Sequence, residues 1–546
     1  MFDDNALLVL QKRYLIKDAK GNPVETPDEM FHRVASSVAK AEENYRGKEL
    51  VDMEASFYQI LSGLEFLPNS PTLMNAGRGL GQLAACFVLP IHDSLDSIFD
   101  HLKMTAKIHQ SGGGTGFSFS RLRPKNDVVA STMGVASGPV SFMRIFNMAT
   151  DVIKQGGTRR GANMGVLRID HPDIEEFVGI KDDPGEMTNF NLSVAVTDKF
   201  MEAYRKDNDF ALINPRTRKE VRQLKARKLF QMIAQSAWMS GEPGILFIDT
   251  INRQNPTPQV GAIEATNPCG EQPLLPYESC CLGSINLAQI VKGGTIDWKR
   301  LQEVTHLGVR FLDDVIDVNR YPSSEIETIS RRNRKIGLGV MGFAHMLIRL
   351  GIAYDTPAAA KLGNKIMEYI QKESKIASSL LAADRGSFPN YQGSVWEAKG
   401  LSQRNATTTT IAPTGTLSLI AGTSSGIEPL YDVRYSRVLF GDIQVEVIDP
   451  LYRELQGKEG ETEHLLRLFR KAHQIDPVNH LLIQSVFQKH VDNAVSKTIN
   501  LPQDAPVDAV IRIYLDAYHL GLKGLTVFRD KSRDDQVLSC GAHQVC

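Results

Sequence analysis

The sequence predicts an α/β fold that is preceded by a small helical region at the N-terminus. Residues 1–70 carry apolar side chains at helical spacing, whereas the chain beyond about Asn69 breaks into short apolar runs separated by glycines and polar loops. The runs at 86–89 and 245–248 have the length and composition of buried strands. Strands that alternate with helical stretches favour parallel pairing, and therefore an α/β architecture.

The helical region has a clear start signal. Thr26 and Glu29 have the spacing of a capping box, and Pro27 stands at the first helical position. The helix that follows is expected to bury an apolar stripe formed by Met30, Phe31, Val34 and Val38.

Another helix is predicted near the end of the chain. Asp504 is in a position to cap it, and Gly521 is expected to end it. Its apolar stripe consists of Val507, Val510, Ile511, Tyr514 and Tyr518.

Composition excludes several classes of protein. The 546 residues include 62 basic and 63 acidic side chains, so there is no excess of positive charge and no nucleic-acid partner is expected. The apolar runs are too short to span a bilayer, and the first residues lack the basic segment followed by an apolar segment that is typical of a signal peptide. Six cysteines are too few for a disulfide scaffold. We therefore expect a cytoplasmic protein with no membrane partner.

The segment 267–271 is the most informative for chemistry. Asn267, Cys269 and Glu271 alternate with a proline and a glycine, which indicates a tight loop that directs an amide, a thiol and a carboxylate at one small space. This set suits radical or nucleophilic chemistry on a hydroxylated substrate. The alternative is a turn with an incidental cysteine.

Three more cysteines lie in apolar segments. Cys86 begins a predicted strand, and Cys280 is followed directly by Cys281. Each could be a thiol reagent or a small buried apolar residue.

The last two cysteines, Cys540 and Cys546, lie in a polar tail, where a dithiol could exchange with a buried pair. With His543 they could instead form half of a zinc site, which would lack the four ligands of a structural site. No metal site is predicted.

Three glycine-rich stretches resemble nucleotide-binding loops. The stretch 112–116 lacks the lysine of a P-loop. A β-branched run at 407–411 leads into 412–416, where a strand, a turn and a helix start could hold an anion through backbone N–H groups, or form an ordinary turn. The stretch 337–342 matches a dinucleotide fingerprint but follows the basic run 331–335 rather than an apolar strand. Close packing of a helix is expected there instead.

In this order, the segments identify a family. The chain resembles the catalytic chain of ribonucleotide reductases over nearly its whole length, and most closely the adenosylcobalamin-dependent class II enzymes. The segments that carry the resemblance are NSPTLMNAG at 69–77, ACFVLP at 85–90, NPCGE at 267–271, ESCCLGSINL at 278–287, APTGT at 412–416 and TVFRDKSR at 526–533.

The resemblance implies a chain of three parts. Residues 1–70 would be the helical N-terminal region, and 71–530 would form a ten-stranded α/β barrel with a catalytic finger loop inside it. Residues 531–546 would be a flexible redox-active tail. Because the catalytic segments begin almost at the first residue, the resemblance implies no ATP-cone.

The resemblance also implies catalytic roles. Cys269 would be the thiyl radical that removes the 3′ hydrogen of the ribose. Glu271 would accept the proton of the 3′-hydroxyl, and Asn267 would hold the hydroxyls. Cys86 and Cys280 would deliver two electrons and become a disulfide as the 2′-hydroxyl leaves as water. The cysteine that follows Cys280 would be structural.

By the same resemblance, the substrate would be a ribonucleoside diphosphate held by its phosphates. Ser70, Thr414, Gly415 and Thr416 fall where the family binds them, largely through backbone N–H groups and hydroxyls. Ala85 stands beside Cys86, where relatives often carry a serine, so one substrate contact is expected to be weaker.

A second nucleotide site is implied at the interface of a homodimer. There a deoxynucleotide effector would set which base is reduced. Asp93 and Arg123 match positions that contact its ribose and phosphate. Arg159 lies in the loop 156–161, which resembles the mobile segment that relays effector identity to the substrate.

The radical source and the reductant are also implied. Class I chains receive their radical through two adjacent tyrosines near the C-terminus, and the comparable segment 526–529 lacks them. Adenosylcobalamin would therefore generate the radical. Cys540 and Cys546 would re-reduce the active-site pair and be served by thioredoxin or glutaredoxin.

Two rival interpretations remain. The chain could be a class I-type large subunit that needs a radical-generating partner. It could also be a catalytically inactive nucleotide-binding regulatory relative, which would be expected to lose one of the five catalytic residues; this sequence has all five.

Overall fold

The computed structural model describes residues 2–45, 50–129, 133–153, 161–183, 185–439, 443–460, 462–532 and the backbone of 538–540. No helix in these ranges is long and apolar enough to cross a membrane. The helices are α1 Asp4–Val9, α2 Pro27–Ala39, α3 Leu50–Ser62, α4 Ser70–Asn75, α5 Leu95–Gln110, α6 Pro139–Val152, α7 Ile174–Val178, α8 Asp198–Lys206, α9 Ala226–Ser240, α10 Ile248–Arg253, α11 Trp298–Val318, α12 Ser324–Asn333, α13 Phe343–Arg349, α14 Pro357–Arg385, α15 Val395–Ala398, α16 Gly415–Ile420, α17 Pro450–Glu459, α18 Glu463–Leu468, α19 Pro477–Gln488 and α20 Val507–His519.

The strands are short. They are β1 Phe66–Pro68, β2 Cys86–Pro90, β3 Gly114–Ser118, β4 Val128–Val129, β5 Gly134–Val135, β6 Asn163–Arg168, β7 Phe190–Val196, β8 Asp209–Ile213, β9 Glu220–Lys225, β10 Gly244–Phe247, β11 Ala265–Thr266, β12 Pro273–Leu274, β13 Ser279–Asn286, β14 Val291–Lys292, β15 Thr295–Ile296, β16 Ile336–Met341, β17 Arg434–Leu439, β18 Ile443–Ile448, β19 Thr498–Leu501, β20 Gly524–Arg529 and β21 Leu538–Cys540.

The first part of the chain is helical, as predicted. The capping box at the start of α2 is present: the Glu29 N–H donates to Thr26 Oγ1 at 3.2 Å, and the Thr26 N–H donates to Glu29 Oε2 at 2.7 Å. The predicted apolar stripe on α2 is buried. A short π-helix, Leu10–Tyr14, follows α1 and lies against α4.

A ring of extended segments forms the core, which confirms the predicted ten-stranded α/β barrel. Strands β2, β3, β6, β7 and β10 are parallel neighbours in that order. Strands β20 and β19 are parallel to each other, as are β16 and β13. The two halves of the ring meet in antiparallel pairs, β10 with β20 and β13 with β2.

The segment 407–411 closes the ring. Leu338 of β16 forms a parallel bridge with Thr409, and Ile411 forms one with Val495, just before β19. The strand predicted here is therefore an extended segment held by isolated bridges. The strand predicted at 86–89 is confirmed within β2, and the one predicted at 245–248 ends one residue early because α10 begins at Ile248.

A hairpin of β11 and β12 lies inside the ring and packs against β3 and β6. Glycines on the ring strands leave space for it. A Cβ added to Gly116 would lie 1.7 Å from the Thr266 carbonyl oxygen, and one added to Gly337 would lie 2.7 Å from Gln272 Nε2. The absence of side chains at these positions allows the hairpin to enter the barrel.

Two local predictions were wrong. The glycines of 337–342 do not serve helix packing. The stretch lies almost entirely in β16, against which α11 does pack, but a Cβ on Gly339 would be 2.3 Å from the Thr410 carbonyl oxygen of the next ring segment. Asp504 does not cap α20, whose cap is Pro506 without a side-chain hydrogen bond. Helical geometry is disfavoured at the residue before a proline, so the helix does not extend back to Asp504.

The contact at Gly116 provides a test of the hairpin position. Because Gly116→Ala would force the added methyl group onto backbone, we expect the hairpin to shift and the free energy of unfolding to fall by about 1–3 kcal/mol. Denaturant unfolding measures the change.

Gly457→Ala is the matched control, since nothing lies within 4 Å of a Cβ there and the residue is inside α17. It should raise stability slightly or leave it unchanged. Equal stability of the two variants would contradict the close approach of hairpin and barrel.

Candidate active site

The tip of the interior hairpin is a tight turn that carries the predicted catalytic segment. Gly270 adopts a φ of +81°, in the left-handed region that favours glycine, and its N–H donates to the Asn267 carbonyl oxygen at 3.1 Å. The Gln272 N–H donates to Asn267 Oδ1 at 3.0 Å. The Asn267 side chain therefore helps to close the turn.

Barrel residues hold both arms of this turn. Asn191 Nδ2 on β7 donates to the Pro268 carbonyl oxygen at 2.7 Å. The Glu271 carbonyl oxygen accepts from the Ala494 N–H at 2.9 Å and from Thr410 Oγ1 at 2.9 Å. The position of the turn is thus fixed through its main chain.

The chemical groups of the turn differ in exposure. Asn267 and Glu271 are buried, whereas Cys269 is exposed and lines a cavity of about 660 Å³. Residues of β17, β18 and β20 form other parts of the cavity wall. A ligand in the cavity therefore has direct access to the Cys269 thiol.

Two further thiols lie beside the turn. Cys86 on β2 and Cys280 on β13 are paired directly across the strands, and Asn267 Nδ2 donates to Cys86 Sγ at 3.1 Å. Opposed residues on antiparallel strands have Cβ atoms about 4.5–5.5 Å apart, close to the separation that a disulfide bridges. Neither cysteine is in a disulfide here.

Burial keeps both thiols protonated. It raises the pKa of Cys86 well above its usual value, and the nearby Glu271 carboxylate raises it further. Burial likewise raises the pKa of Cys280 well above the usual value. Both side chains therefore carry a hydrogen at neutral pH.

Cys281 faces the other way. Successive side chains of β13 point to opposite faces of the strand. Cys280 therefore lies with Cys86 in the apolar cluster inside the barrel, whereas Cys281 belongs to the main core on the outer side. Burial raises the pKa of Cys281 to about 12. The adjacent cysteines thus lie in separate environments.

The predicted substrate-binding residues lie on three segments. Ser70 begins α4, and Ala85 accepts a hydrogen bond from the Gly114 N–H at 2.8 Å through its carbonyl oxygen. Thr414 caps α16, with Oγ1 accepting from the Gly426 N–H at 2.7 Å. Gly415, the next residue, lines the same cavity as Cys269.

The N-terminal π-helix joins two of these segments, which sequence reasoning missed. Tyr14 Oη and Ser70 Oγ are 2.8 Å apart, and Arg13 Nη1 donates to Thr416 Oγ1 at 3.2 Å. Arg437 on β17 also lines the cavity, and its Nη2 donates to the Gly415 carbonyl oxygen at 3.3 Å. The sequence contains no local signal for contacts between residues so far apart.

Two of the three predicted effector residues form an ion pair just before α5. Arg123 Nε lies 2.8 Å from Asp93 Oδ2, and the Arg123 N–H donates to Asp93 Oδ1 at 3.2 Å. Arg159 lies outside the described residues.

The tail is described only in part. The backbone of Cys540 in β21 pairs with Tyr435 of β17, a residue that lines the cavity. Cys546 and His543 lie outside the described residues. Among those that are described, no group of three or more His, Cys, Asp or Glu side chains could hold a metal ion.

The fold and the site are those of an oxidoreductase built on a ten-stranded α/β barrel, in which an interior loop presents one cysteine beside a buried pair of cysteines. Comparison with known proteins gives the family. The chain belongs to the ribonucleotide reductase family: the model of its barrel domain matches residues 84–403 and 397–528, and that of its all-alpha domain matches residues 1–81.

Individual relatives are similar over nearly the whole chain. A protein of Thermoplasma acidophilum named vitamin B12-dependent ribonucleoside-diphosphate reductase is 47% identical over 98% of this chain and 80% of its own length. One of the same name from Mycobacterium tuberculosis is 49% identical, with the same coverage. A ribonucleoside-diphosphate reductase subunit alpha of Chlamydia pneumoniae is 27% identical over 94% of this chain and 58% of its own length.

The strand pairing predicts which thiols form a disulfide. Under mild oxidation with diamide, Cys86 and Cys280 should become cross-linked, because they face each other across β2 and β13. Peptide mapping by mass spectrometry identifies the linked pair.

Cys281→Ser is the control and should leave the cross-link intact, whereas Cys280→Ser should abolish it. A disulfide that used Cys281 instead would mean that the register of β13 differs from the one described.

Proposed function

We propose that this chain is an adenosylcobalamin-dependent ribonucleotide reductase that converts ribonucleoside diphosphates into 2′-deoxyribonucleotides. The observation that carries the proposal is the set of three thiols. Cys269 is exposed and lines a cavity, and Cys86 and Cys280 are cross-strand partners beside its turn, where Asn267 donates to Cys86 Sγ. The names of the relatives that are 47% and 49% identical support the same reaction and cofactor.

Each residue type suits one step of the reduction. Cys269, as a thiyl radical, takes the 3′ hydrogen of the ribose and later returns a hydrogen atom. Glu271 accepts the proton of the 3′-hydroxyl, which assists loss of the 2′-hydroxyl as water. Cys86 and Cys280 supply two electrons and two protons as they become a disulfide. Their raised pKa values keep these hydrogens in place until they are used.

The substrate phosphates would bind between α4 and α16. Ser70, Thr414 and Thr416 offer hydroxyls there, and Gly415 offers its backbone N–H. The guanidinium of Arg13, which already donates to Thr416, brings a positive charge to this position. A diphosphate carries the negative charge that such a site would neutralise.

The cavity that Cys269 lines offers a surface for the cofactor. Its wall includes apolar and aromatic side chains that could contact the cofactor, among them Tyr431, Tyr435, Val447 and Phe528. The chemistry that adenosylcobalamin supplies when bound is an organic radical next to the protein. The protein holds the Cys269 thiol at a fixed, accessible position and keeps the other two thiols apart from solvent.

We also infer a homodimer with an effector site at its interface. The outer faces of α5 and α6 expose a group of large apolar side chains, which a partner subunit would cover. Asp93 lies just before α5, next to this face, and is paired with Arg123; with Arg159 they would contact the deoxynucleotide effector. The exposed apolar residues are Leu95, Phe99, Ile145, Met148 and Val152.

The reductant would reach the site through the tail. Pairing of β21 with β17 brings the backbone of Cys540 beside the cavity wall. In this proposal Cys540 and Cys546 reduce the Cys86–Cys280 disulfide and are themselves reduced by thioredoxin or glutaredoxin. Such a cycle belongs in the reducing cytoplasm.

One assay tests both the reaction and the radical source. The purified chain is incubated anaerobically with CDP, a deoxynucleotide effector and dithiothreitol, with and without adenosylcobalamin, and dCDP is measured. We expect product only with the cobalamin. Product that required a second protein instead would favour a class I-type large subunit.

Cys269→Ser is the control for the radical residue. It should lower product to background while CDP still binds, since the phosphate-binding segments are unchanged. An active Cys269→Ser enzyme would rule out the thiyl assignment.

The apolar face makes a separate prediction. Phe99→Glu places a charge in the proposed interface, so sedimentation should show a shift from dimer to monomer and a loss of the response to effector. Leu401→Glu, at an exposed leucine outside this face, is the matched control and should leave the dimer intact. Identical sedimentation of both variants and the unmodified chain would place the interface elsewhere.

A further inference from the structure

An arginine on β17 lines the same cavity as Cys269. Arg437 Nη2 donates to the Gly415 carbonyl oxygen at 3.3 Å. Its side chain also forms a hydrogen bond with that of Tyr435, which lies two residues earlier on the same strand. Both partners are neutral groups, so neither compensates the positive charge. The proposed reaction steps do not use this guanidinium.

The guanidinium of Arg437 lacks an anionic partner. Among the residues that the structure describes, no carboxylate forms an ion pair with it, and its Nε is buried without a hydrogen-bond partner. Buried polar groups in proteins are nearly always hydrogen-bonded, and a guanidinium withdrawn from water is normally paired with a carboxylate or a phosphate. A positive charge at this place in the cavity wall therefore indicates an anion that binds from the cavity.

The residue that Arg437 contacts has no side chain. A Cβ added to Gly415 would lie 3.3 Å from Arg437 Nη2, which is closer than an ordinary van der Waals contact. Gly415 begins α16 and does not adopt a positive φ, so its own conformation does not require glycine. Glycine also weakens a helix relative to alanine. The missing side chain therefore provides space for the guanidinium at the first turn of α16.

A second arginine contacts the same turn. Arg13, from the N-terminal π-helix, donates through Nη1 to Thr416 Oγ1 at 3.2 Å. Helix α16 has only 6 residues and contributes few aligned peptide dipoles, so positive charge at this turn has to come mainly from side chains. Two guanidinium groups from opposite ends of the chain thus meet at one turn. Together they complement the negative charge of a diphosphate group.

We propose that Arg437 is a specificity-determining residue of the substrate site, where its guanidinium binds the diphosphate group of the ribonucleotide. The inference rests on the proposed function, because it assumes that the ribonucleotide binds in this cavity with its phosphates at Gly415. A guanidinium has more N–H donors than the Gly415 carbonyl oxygen and the Tyr435 hydroxyl use, so donors remain for phosphate oxygens.

Binding of CDP to the full chain, measured by equilibrium dialysis with a deoxynucleotide effector and without cobalamin, tests the proposal. Arg437→Met removes the charge and keeps a side chain of similar length. We expect the dissociation constant of CDP to rise roughly 10- to 100-fold, since charge-assisted hydrogen bonds to the phosphates are lost. Inorganic pyrophosphate, which competes for the phosphate site alone, should lose affinity by a similar factor. In turnover, KM for CDP should rise much more than kcat falls.

Two companion variants separate the charge from the fold. Arg437→Lys keeps the charge without the planar geometry of a guanidinium and should recover part of the lost affinity. Arg434→Met removes an exposed arginine from the same strand, and this arginine is not part of the cavity wall. It is the matched control and should leave the dissociation constant of CDP unchanged.

The cofactor also carries a phosphate, so its binding is measured in parallel. Adenosylcobalamin and adenosylcobinamide, which lacks the phosphodiester, are followed by the absorbance that elutes with the protein. We expect both to bind Arg437→Met as tightly as they bind the unmodified chain, which also shows that the cavity is intact. Weaker binding of adenosylcobalamin but not of adenosylcobinamide, with CDP affinity unchanged, would assign Arg437 to the cofactor phosphate and overturn the proposal.

The remaining outcomes distinguish this inference from the function on which it rests. Unchanged CDP affinity in Arg437→Met would overturn the role of Arg437 alone. An equal loss in Arg434→Met, or no recovery in Arg437→Lys, would mean that the specific charge at this position does not bind the diphosphate. An unmodified chain that binds neither CDP nor pyrophosphate would contradict the proposed function itself.

Discussion

The close approach between the interior hairpin and the barrel strands is the constraint on which the site depends. Strands of a closed barrel normally fill the interior with side chains. Here Gly116 and Gly337 have none, and the hairpin backbone occupies the space. Hydrogen bonds to the Pro268 and Glu271 carbonyl oxygens then fix the turn from two sides. In the proposed reaction Cys269 must meet a substrate carbon at a defined distance, and rigid support of this kind would provide that position.

Environment, rather than residue type, distinguishes the cysteines. Cys269 lies open to the cavity, Cys86 and Cys280 are buried in the barrel interior, and Cys281 lies in the outer core. The difference between Cys280 and its neighbour follows from the two-residue period of β13. A shift of one residue in the pairing with β2 would exchange their roles. The register of a single strand therefore determines which thiol can pair with Cys86.

Local signals in the sequence predicted much of the fold. The capping box of α2, strand β2 and the tight turn at 267–271 were found because each depends on residues close together in the chain. The ten-stranded barrel followed from family resemblance rather than from periodicity. The prediction that Asp504 caps α20 did not take account of Pro506. The role of the glycines in β16 was also predicted wrongly, because contacts between neighbouring strands leave no local pattern in the sequence. Contacts such as those of Arg13 with Thr416 join residues from opposite parts of the chain, so only the folded structure reveals them.

The two halves of the proposed catalytic cycle place opposite demands on the buried thiols. Ribose reduction consumes hydrogens, so Cys86 and Cys280 must stay protonated, and burial ensures this. Regeneration releases a thiolate in the same apolar space, where burial disfavours the charge. Regeneration therefore works against the same burial that protects the thiols during ribose reduction.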